Sequence, residues 1–294
     1  MGTTAASNPP PPPGDIVAVP PPWKLKATVW MFAFHTSKAQ AANFPDITYS
    51  PLEGSSSFPT GAGASKPLGG LSMIQLISYT DTPVGPYDEL ILAPGYHEYV
   101  VDEDGKRVKK RNARITRIYV SQKYTTWNGR VNWNIPKHMA DFKWTDNKDG
   151  SRTVKVYPHD TSGGPIEGTA SPTPLFQATM KAIPYVPSFP LSLRIFGWLG
   201  FDFTLVHPPL PEGKGKHGEL PGTDRWAAVK PGQYSPKTSL AWFDMSQTDE
   251  NGKRPGLYEN FWPGLRRWHV GVRMDDSEVD FPEPTVWDPP KSVL

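Results

Sequence analysis

The stretch ADFKWTDNKDGSRTVKVY, residues 140–157, is typical of a β-hairpin and guides the interpretation of the whole chain. Two segments rich in aromatic and β-branched residues, 140–144 and 153–157, flank the polar run from Asp146 to Gly150. Aspartate, asparagine and glycine favour turns, because they tolerate the backbone conformations that reverse a chain. The stretch therefore predicts two antiparallel strands joined by a tight connection.

Outward from this hairpin, apolar runs and turn clusters continue to alternate along the chain. Further strands are predicted at residues 25–34, 71–79, 87–92, 114–120, 175–183, 191–206, 239–245 and 268–274. Patterns compatible with helix are short and lie at 37–42 and 122–127. We expect a mainly β (α+β) domain built on one antiparallel, largely closed sheet with few short helices. Its helix content should stay below about a third, the average for globular proteins.

Composition supports this fold class, excludes a helical bundle and limits the possible partners and chemistry. The 294 residues include 35 prolines and 26 glycines, which interrupt helices and exclude a helical bundle. The 11 Trp, 11 Tyr and 13 Phe residues supply core volume. A net charge of +2, from 31 basic and 29 acidic residues, argues against a nucleic-acid partner. The absence of cysteine excludes disulfides and thiolate chemistry.

The chain is expected to form one domain over residues 23–294, with a long loop near 208–236 that is rich in Pro, Gly and Lys. Residues 1–22 contain two proline blocks and predict an extended arm, either solvated or strapped along a neighbour. No apolar run is long enough to span a membrane, and no signal peptide is recognisable. A cytoplasmic location is the expectation.

Signatures of metal or cofactor chemistry are lacking in the sequence. The histidines at 35, 97, 138, 159, 207, 217 and 269 form no pair with metal-ligand spacing. No G-x-S-x-G motif marks a hydrolase nucleophile. We therefore expect neither a metal nor a cofactor.

The segment WNGRVNWNIPKHMADF, residues 127–142, contains a candidate nucleophile. Pro136 restricts the backbone, so Lys137 leaves the chain in a defined direction. If that direction is inward, desolvation favours a neutral amine, because burial lowers a lysine pKa by several units. If it is outward, Lys137 is an ordinary solvated residue.

A second segment, GPYDELILAPG at residues 85–95, changes the balance between these alternatives. Together with Arg130 and the run NWNIPKH at 132–138, it resembles the acetoacetate decarboxylase-like superfamily over residues 70–145. The resemblance implies a closed, cone-like antiparallel sheet around an apolar cavity, a Schiff-base lysine at Lys137 and an acidic partner at Glu89. It also implies a tendency to form closed homo-oligomers.

Further substrate-binding candidates are His138, Tyr87, Trp133 and Lys26, and the pattern departs from the family around some of them. His138 stands where the family has a second lysine that activates the first. The family's second acidic residue falls on Ile74 or Gln75, and its substrate-binding arginine on Lys24 or Lys26. Lysine is a weaker bidentate partner for a carboxylate than arginine.

These observations predict a lyase that binds a small keto acid as an iminium on Lys137. The iminium would accept the electrons released by decarboxylation or by loss of an α-proton. Aldol or dehydration chemistry is therefore the alternative reaction to decarboxylation. The alternative from another class is a non-catalytic protein that binds a small apolar ligand in the same cavity, with Lys137 as an ion-pair partner.

Overall fold

A computed structural model describes residues 10–198, 200, 202–249, 251–254 and 256–290. Strands account for 45% of the structure and helices for 10%, which confirms the predicted fold class. None of the helices in these residues has the length and apolar character needed to cross a bilayer. The helices are α1 (Lys38–Ala42), α2 (Pro51–Gly54), α3 (Lys123–Trp133) and α4 (Leu193–Trp198). The strands are β1 (Trp23–Thr36), β2 (Ser65–Asp81), β3 (Tyr87–Ala93), β4 (Tyr96–Glu103), β5 (Lys106–Ala113), β6 (Arg117–Val120), β7 (Lys137–Asp146), β8 (Arg152–Pro158), β9 (Phe176–Ala182), β10 (Phe189–Ser192), β11 (Leu205–His207), β12 (Trp226–Val229), β13 (Gly232–Asp244), β14 (Trp268–Phe281) and β15 (Thr285–Trp287).

Nine strands form a closed barrel in the order β1-β14-β13-β9-β8-β7-β6-β3-β2, and the pairing of β1 with β2 closes the ring. Neighbours are antiparallel except β6 and β7, which run parallel. The predicted hairpin is the β7–β8 pair, in which Asp146 lies opposite Arg152. Local turn chemistry therefore anticipated this part of the ring.

Helix α3 connects the one parallel pair of the barrel. Parallel neighbours need a crossover connection, which is usually a helix. The Gln122 side chain accepts a hydrogen bond from the Thr125 backbone N–H and caps the start of α3, and Asn134 ends it in a left-handed conformation at φ 52°. The helix is longer than the single turn predicted at 122–127. It places Lys137 at the first position of β7.

A second sheet extends from the barrel in the order β2-β4-β5-β11-β12-β15. Its β4–β5 hairpin was missed by the sequence interpretation, because β5 is rich in charged residues and largely exposed, and β4 ends in exposed acidic residues. The available signal was the Asp104-Gly105 dipeptide at the turn, a common hairpin connection.

Two expectations for the second half of the chain were wrong. The strand predicted at 191–206 is divided into β10, α4 and β11. The Ser192 hydroxyl accepts a hydrogen bond from the Arg194 backbone N–H, which favours a helical turn at this point. The loop predicted at 208–236 contains β12 and the start of β13, so within it only residues 208–225 and 230–231 lack strands.

Buried side chains form two main cores on opposite faces of the barrel sheet. The first draws alternate residues from strands around the ring, including Phe32, Leu76 and Phe243, and fills its interior. The second contains the intervening residues of β1, β2, β3 and β6, such as Val29 and Ile77, and is covered by α3, β11 and β12. Because strand side chains alternate, one strand serves both cores. The apolar cavity described below lies on the second face, outside the ring, whereas the expected cavity lay inside the closed sheet.

The described part of the N-terminal arm, residues 10–22, has neither helix nor strand and lies along α3. Asn128 of α3 accepts a hydrogen bond from the Val19 backbone N–H at 2.7 Å and donates to the Val17 carbonyl at 2.9 Å. Asn132 donates to the Val19 carbonyl at 2.8 Å. This segment is strapped onto its own chain, whereas residues 1–9 of the predicted arm lie outside the described residues.

Candidate active site

Lys137 is buried with only 6% of its surface exposed, and its ammonium meets three partners. Nζ donates to Oε2 of Glu89 at 2.7 Å and to Oγ1 of Thr125 at 2.9 Å. The Tyr87 ring centroid lies 5.1 Å from Nζ, within the range of a cation–π interaction. Glu89 is 1% exposed, so the ion pair is shielded from water. The inward direction considered for Lys137 is the observed one.

Three neighbouring strands and one helix bring these groups together. Glu89 of β3 lies opposite Val120 of β6, while Lys137 of β7 pairs with Ile118 of β6. The lysine side chain then runs across the backbone of α3 at Gly129. A Cβ atom on Gly129 would lie 2.7 Å from Cδ of Lys137, closer than atoms approach in real proteins. Glycine at this position therefore provides the space that the lysine occupies.

Two tyrosines complete the surroundings of the carboxylate. The Tyr79 hydroxyl donates to Oε1 of Glu89 at 3.2 Å, and the Tyr79 and Tyr87 ring centroids are 4.5 Å apart. Burial, reinforced by the negative charge of Glu89, raises the pKa of both phenols well above their usual range. Both tyrosines therefore stay protonated at neutral pH, and Tyr79 remains a donor to Glu89.

A small apolar cavity of about 70 Å³ adjoins this group. Its walls include Tyr79, Gln75 and Gln233, together with the apolar side chains of Ile77, Ile91 and Phe281. Lys137 and Glu89 are not among the described residues that line it. The Tyr79 side chain lines the cavity and also contacts Glu89, so it connects the two.

His138 points to the opposite face of β7, as the alternation of strand side chains predicts. Its Nε2 lies 2.5 Å from Oε2 of Glu53, whose Oε1 accepts from Nη1 of Arg130 at 2.9 Å. Burial opposes ionisation of Glu53, but His138 and Arg130 outweigh it, so the pKa of the Glu53 carboxyl lies below its usual range. The structure separates His138 from the Lys137 ammonium. Its ring instead lines another cavity of about 470 Å³, beside Arg117 and Tyr119.

Trp133 and Lys26, two further candidates, lie at different distances from the cavity. Trp133 is buried, packs on Phe281 with ring centroids 5.3 Å apart, and so stands behind the cavity wall. Lys26 is exposed on β1, on the face opposite to Leu25 and Ala27, and Lys24 is exposed likewise. Neither lysine is among the described residues that line the cavity.

The two alternatives for the second acidic position are also separated by the fold. Gln75 lines the cavity, whereas Ile74 belongs to the interior of the barrel. An uncharged amide therefore faces the cavity at this point of β2.

The sequence interpretation missed Tyr79, Thr125 and Gly129. Thr125 and Gly129 are four residues apart, and both face Lys137 from α3. That spacing places two residues on one side of a helix, but it carries this meaning only once the helix is known. Across the described chain, no group of three or more His, Asp or Glu side chains is arranged to hold a metal ion.

Comparisons with known proteins identify the fold of the chain. No protein-family model matches the chain, and no curated protein matches it by sequence. The structure is similar to an acetoacetate decarboxylase from Legionella pneumophila, with 13% identity and a TM-score of 0.51 over 95% of this chain and 92% of that one.

Two further solved structures are similar at TM-scores of 0.48. One is an acetoacetate decarboxylase, with 11% identity over 92% of this chain and 91% of the other. The second is an acetoacetate decarboxylase-like enzyme from Sphingomonas wittichii RW1, with 10% identity over 92% and 94%. The Legionella structure establishes that the chain has the acetoacetate decarboxylase-like fold, which confirms the resemblance at the level of fold.

Proposed function

We propose that the protein is an enzyme that forms a Schiff base between Lys137 and a small keto compound. The observation that carries this proposal is the buried contact of 2.7 Å between Nζ of Lys137 and Oε2 of Glu89. A shielded lysine with an adjacent carboxylate has both a nucleophile and a proton acceptor for condensation with a carbonyl. The acetoacetate decarboxylase-like fold supports the same chemistry.

The reaction begins when a proton passes from the Lys137 ammonium to Glu89. The lone pair on Nζ forms a bond to the carbonyl carbon, and the carbonyl oxygen takes up one proton from the amine and one from Glu89 and leaves as water. The resulting iminium accepts the electron pair of a bond at the α-carbon, whose other partner leaves as CO₂ or as a proton taken up by Glu89. The enamine then takes up a proton, or adds to a second carbonyl compound, at the α-carbon, which restores the iminium. Hydrolysis of the iminium by water releases the product and returns the amine.

Of the two reactions considered, aldol or dehydration chemistry fits the surroundings better than decarboxylation. Decarboxylation needs a substrate carboxylate, and such a group is best held by a cation. Lys24 and Lys26 are exposed on the other face of β1. Among the described residues lining the cavity, none is positively charged. Loss of an α-proton from a keto compound needs no such partner.

Reductive trapping tests the proposal directly. Incubation with a panel of small ketones and keto acids plus cyanoborohydride should add the mass of the reduced adduct to the peptide containing Lys137. Lys137→Arg should abolish the adduct, because arginine stays protonated and does not condense. Lys26→Arg, the same change at an exposed lysine, should leave the adduct yield unchanged.

A non-catalytic binding protein is the second candidate, and one observation favours it. Lys137 is engaged by Glu89, Thr125 and Tyr87 and does not line the cavity. An ammonium held in this way would form a structural ion pair with Glu89. Ligand binding without any adduct at Lys137, across the whole panel, would support this alternative and overturn the enzyme proposal.

A further inference from the structure

The described residues that line the cavity beside Tyr79 are uncharged. Its described lining residues include none of the five titratable charged types, Asp, Glu, Lys, Arg and His. A carboxylate entering such a site would lose its hydration without gaining an ionic partner, which is strongly unfavourable. An uncharged ligand would not meet this cost. The composition of the walls therefore selects against keto acids.

Two glutamine amides face this apolar space with weak partners. Gln75 and Gln233 are 8% and 7% exposed. Each donates at 3.0 Å to a thioether sulfur, Gln75 to Met73 and Gln233 to Met274. A thioether is a poor acceptor. Among the hydrogen bonds of the described residues, none reaches the carbonyl oxygen of either amide. Buried amides in this state favour a ligand that offers a hydroxyl or a carbonyl.

Tyr79 stands between the cavity and the Lys137 site. Its hydroxyl donates to Glu89, and Glu89 accepts from Lys137. The positive charge of Lys137 is thus already balanced by a carboxylate 2.7 Å away. A ligand carboxylate would have to compete with Glu89 for the same ammonium. A neutral carbonyl has no such competition.

We propose that this cavity selects a small uncharged ketone carrying a second oxygen, a hydroxyketone, instead of a keto acid. The proposal rests on the function proposed above and names its substrate class. The second oxygen would meet the amides of Gln75 and Gln233, and the ketone would lie at the Tyr79 end of the cavity. Because Lys137 is not among the lining residues, the Tyr79 side chain must move aside before the ketone carbon can meet Lys137. A volume of about 70 Å³ limits the ligand to a few heavy atoms.

Three small ketones of similar size distinguish the effect of ligand charge from the effect of a second hydrogen-bonding group. Hydroxyacetone, acetone and pyruvate share a methyl ketone and differ in bearing a hydroxymethyl group, a methyl group or a carboxylate. Each is offered to the wild-type protein at one concentration and pH, and binding is measured by ligand-observed NMR without reductant. Adduct at Lys137 is then measured with cyanoborohydride. Hydroxyacetone should exceed pyruvate by about tenfold or more in both measurements.

Variants at the two amides test which groups select the ligand. Gln75→Leu and Gln233→Leu should each reduce the preference for hydroxyacetone over acetone several-fold, because the hydroxyl loses a partner. Gln75→Arg should shift the preference towards pyruvate, since it adds a cation to the wall. Melting temperatures establish that each variant is folded, and the leucine variants decide the matter if Gln75→Arg does not fold.

The outcomes for substrate class and for catalysis are distinguishable. Binding or trapping of pyruvate as strong as that of hydroxyacetone would overturn the substrate class, and so would the absence of binding by all three compounds. Hydroxyacetone binding without an adduct would support the ligand class while overturning the Schiff-base proposal. A preference for hydroxyacetone that survives both leucine variants would overturn the role assigned to the amides.

Discussion

At the scale of single residues, the candidate site depends on what surrounds Lys137 as much as on Lys137 itself. Glu89 and Thr125 accept its hydrogen bonds, and Tyr79 holds Glu89 from the other side. Gly129 has no Cβ atom, and this leaves space for the Lys137 side chain. Burying a lysine in this way costs free energy unless its charge is paired and its aliphatic chain fits its surroundings.

Replacing Gly129 with alanine tests the close packing against Lys137. Alanine is favoured over glycine in a helix by about 1 kcal/mol, which offsets part of the packing cost. The new methyl group would nevertheless occupy the place of the lysine stem and move Nζ away from Glu89. We expect the yield of reductive adduct at Lys137 to fall about tenfold, since a displacement of this size disrupts positioning.

The matched control is Gly54→Ala in α2. A Cβ atom there has its nearest neighbour at 3.6 Å, an ordinary contact, so the adduct yield should not change. A full adduct yield in Gly129→Ala would contradict the assigned path of the lysine side chain.

At the scale of elements, α3 carries the connection that places Lys137. It links the parallel strands β6 and β7, and it receives the strap formed by residues 10–22. The residue that caps its C-terminus, Asn134, adopts a left-handed conformation and donates to the carbonyls of Pro208 and Arg225. One residue thus ends the helix and holds both ends of the long loop at residues 208–225.

A pair of substitutions at Asn134 separates these two roles. Asn134→Gly and Asn134→Ala both remove the side-chain hydrogen bonds, but only alanine is strained in the left-handed conformation, by about 1–2 kcal/mol. The alanine variant should therefore unfold at a lower urea concentration than the glycine variant, with a difference near 1 kcal/mol in the free energy of unfolding. Equal stabilities would show that the left-handed conformation is not required.

At the scale of the whole molecule, His97 of β4, His207 of β11 and Arg114, which precedes β6, form a buried group in and beside the second sheet. Burial lowers the pKa of His207 to about 3, and the charge of Arg114 adds to this effect. The pKa of His97 lies well below its usual value, again through burial first and Arg114 second. Both histidines are therefore neutral in the folded protein around neutral pH.

This arrangement predicts loss of stability in acid. Below the unfolded value of about 6.5, the unfolded chain binds protons that the folded chain does not bind. Stability should therefore be fully present above pH 6.5 and should fall as the pH is lowered towards 3. Each such histidine contributes a slope of up to about 1.4 kcal/mol per pH unit.

His97→Phe should reduce this slope by the share of one histidine. Neither ring nitrogen of His97 has a hydrogen-bond partner among the described residues, and the ring packs near Phe44 with centroids 6.0 Å apart. Phenylalanine therefore leaves no polar group unpaired. Urea unfolding of both proteins at several pH values between 4 and 7 provides the measurement, and identical slopes would contradict the prediction.

Local sequence patterns were sufficient where the determining interactions are short-range. The β7–β8 hairpin follows from its turn residues, and most barrel strands follow from aromatic and β-branched runs. The resemblance carried by residues 85–95 and 132–138 identified Lys137 and Glu89, which the structure places in contact. His138, a substrate-binding candidate from the same run, instead points to the opposite face of β7 and contacts Glu53, because side chains alternate along a strand.

The features that depend on contacts between distant segments, such as strand pairing and side-chain burial, became known only from the tertiary structure. The sequence by itself determined a mainly β chain with Lys137 and Glu89 as a candidate pair. It did not determine the parallel β6–β7 crossover, the β4–β5 hairpin of charged strands, or the roles of Tyr79 and Thr125. Nor did it show that Lys26 faces solvent while Gln75 faces the cavity. The physical reason is that strand pairing and burial are set by contacts between distant segments, which local propensity does not encode.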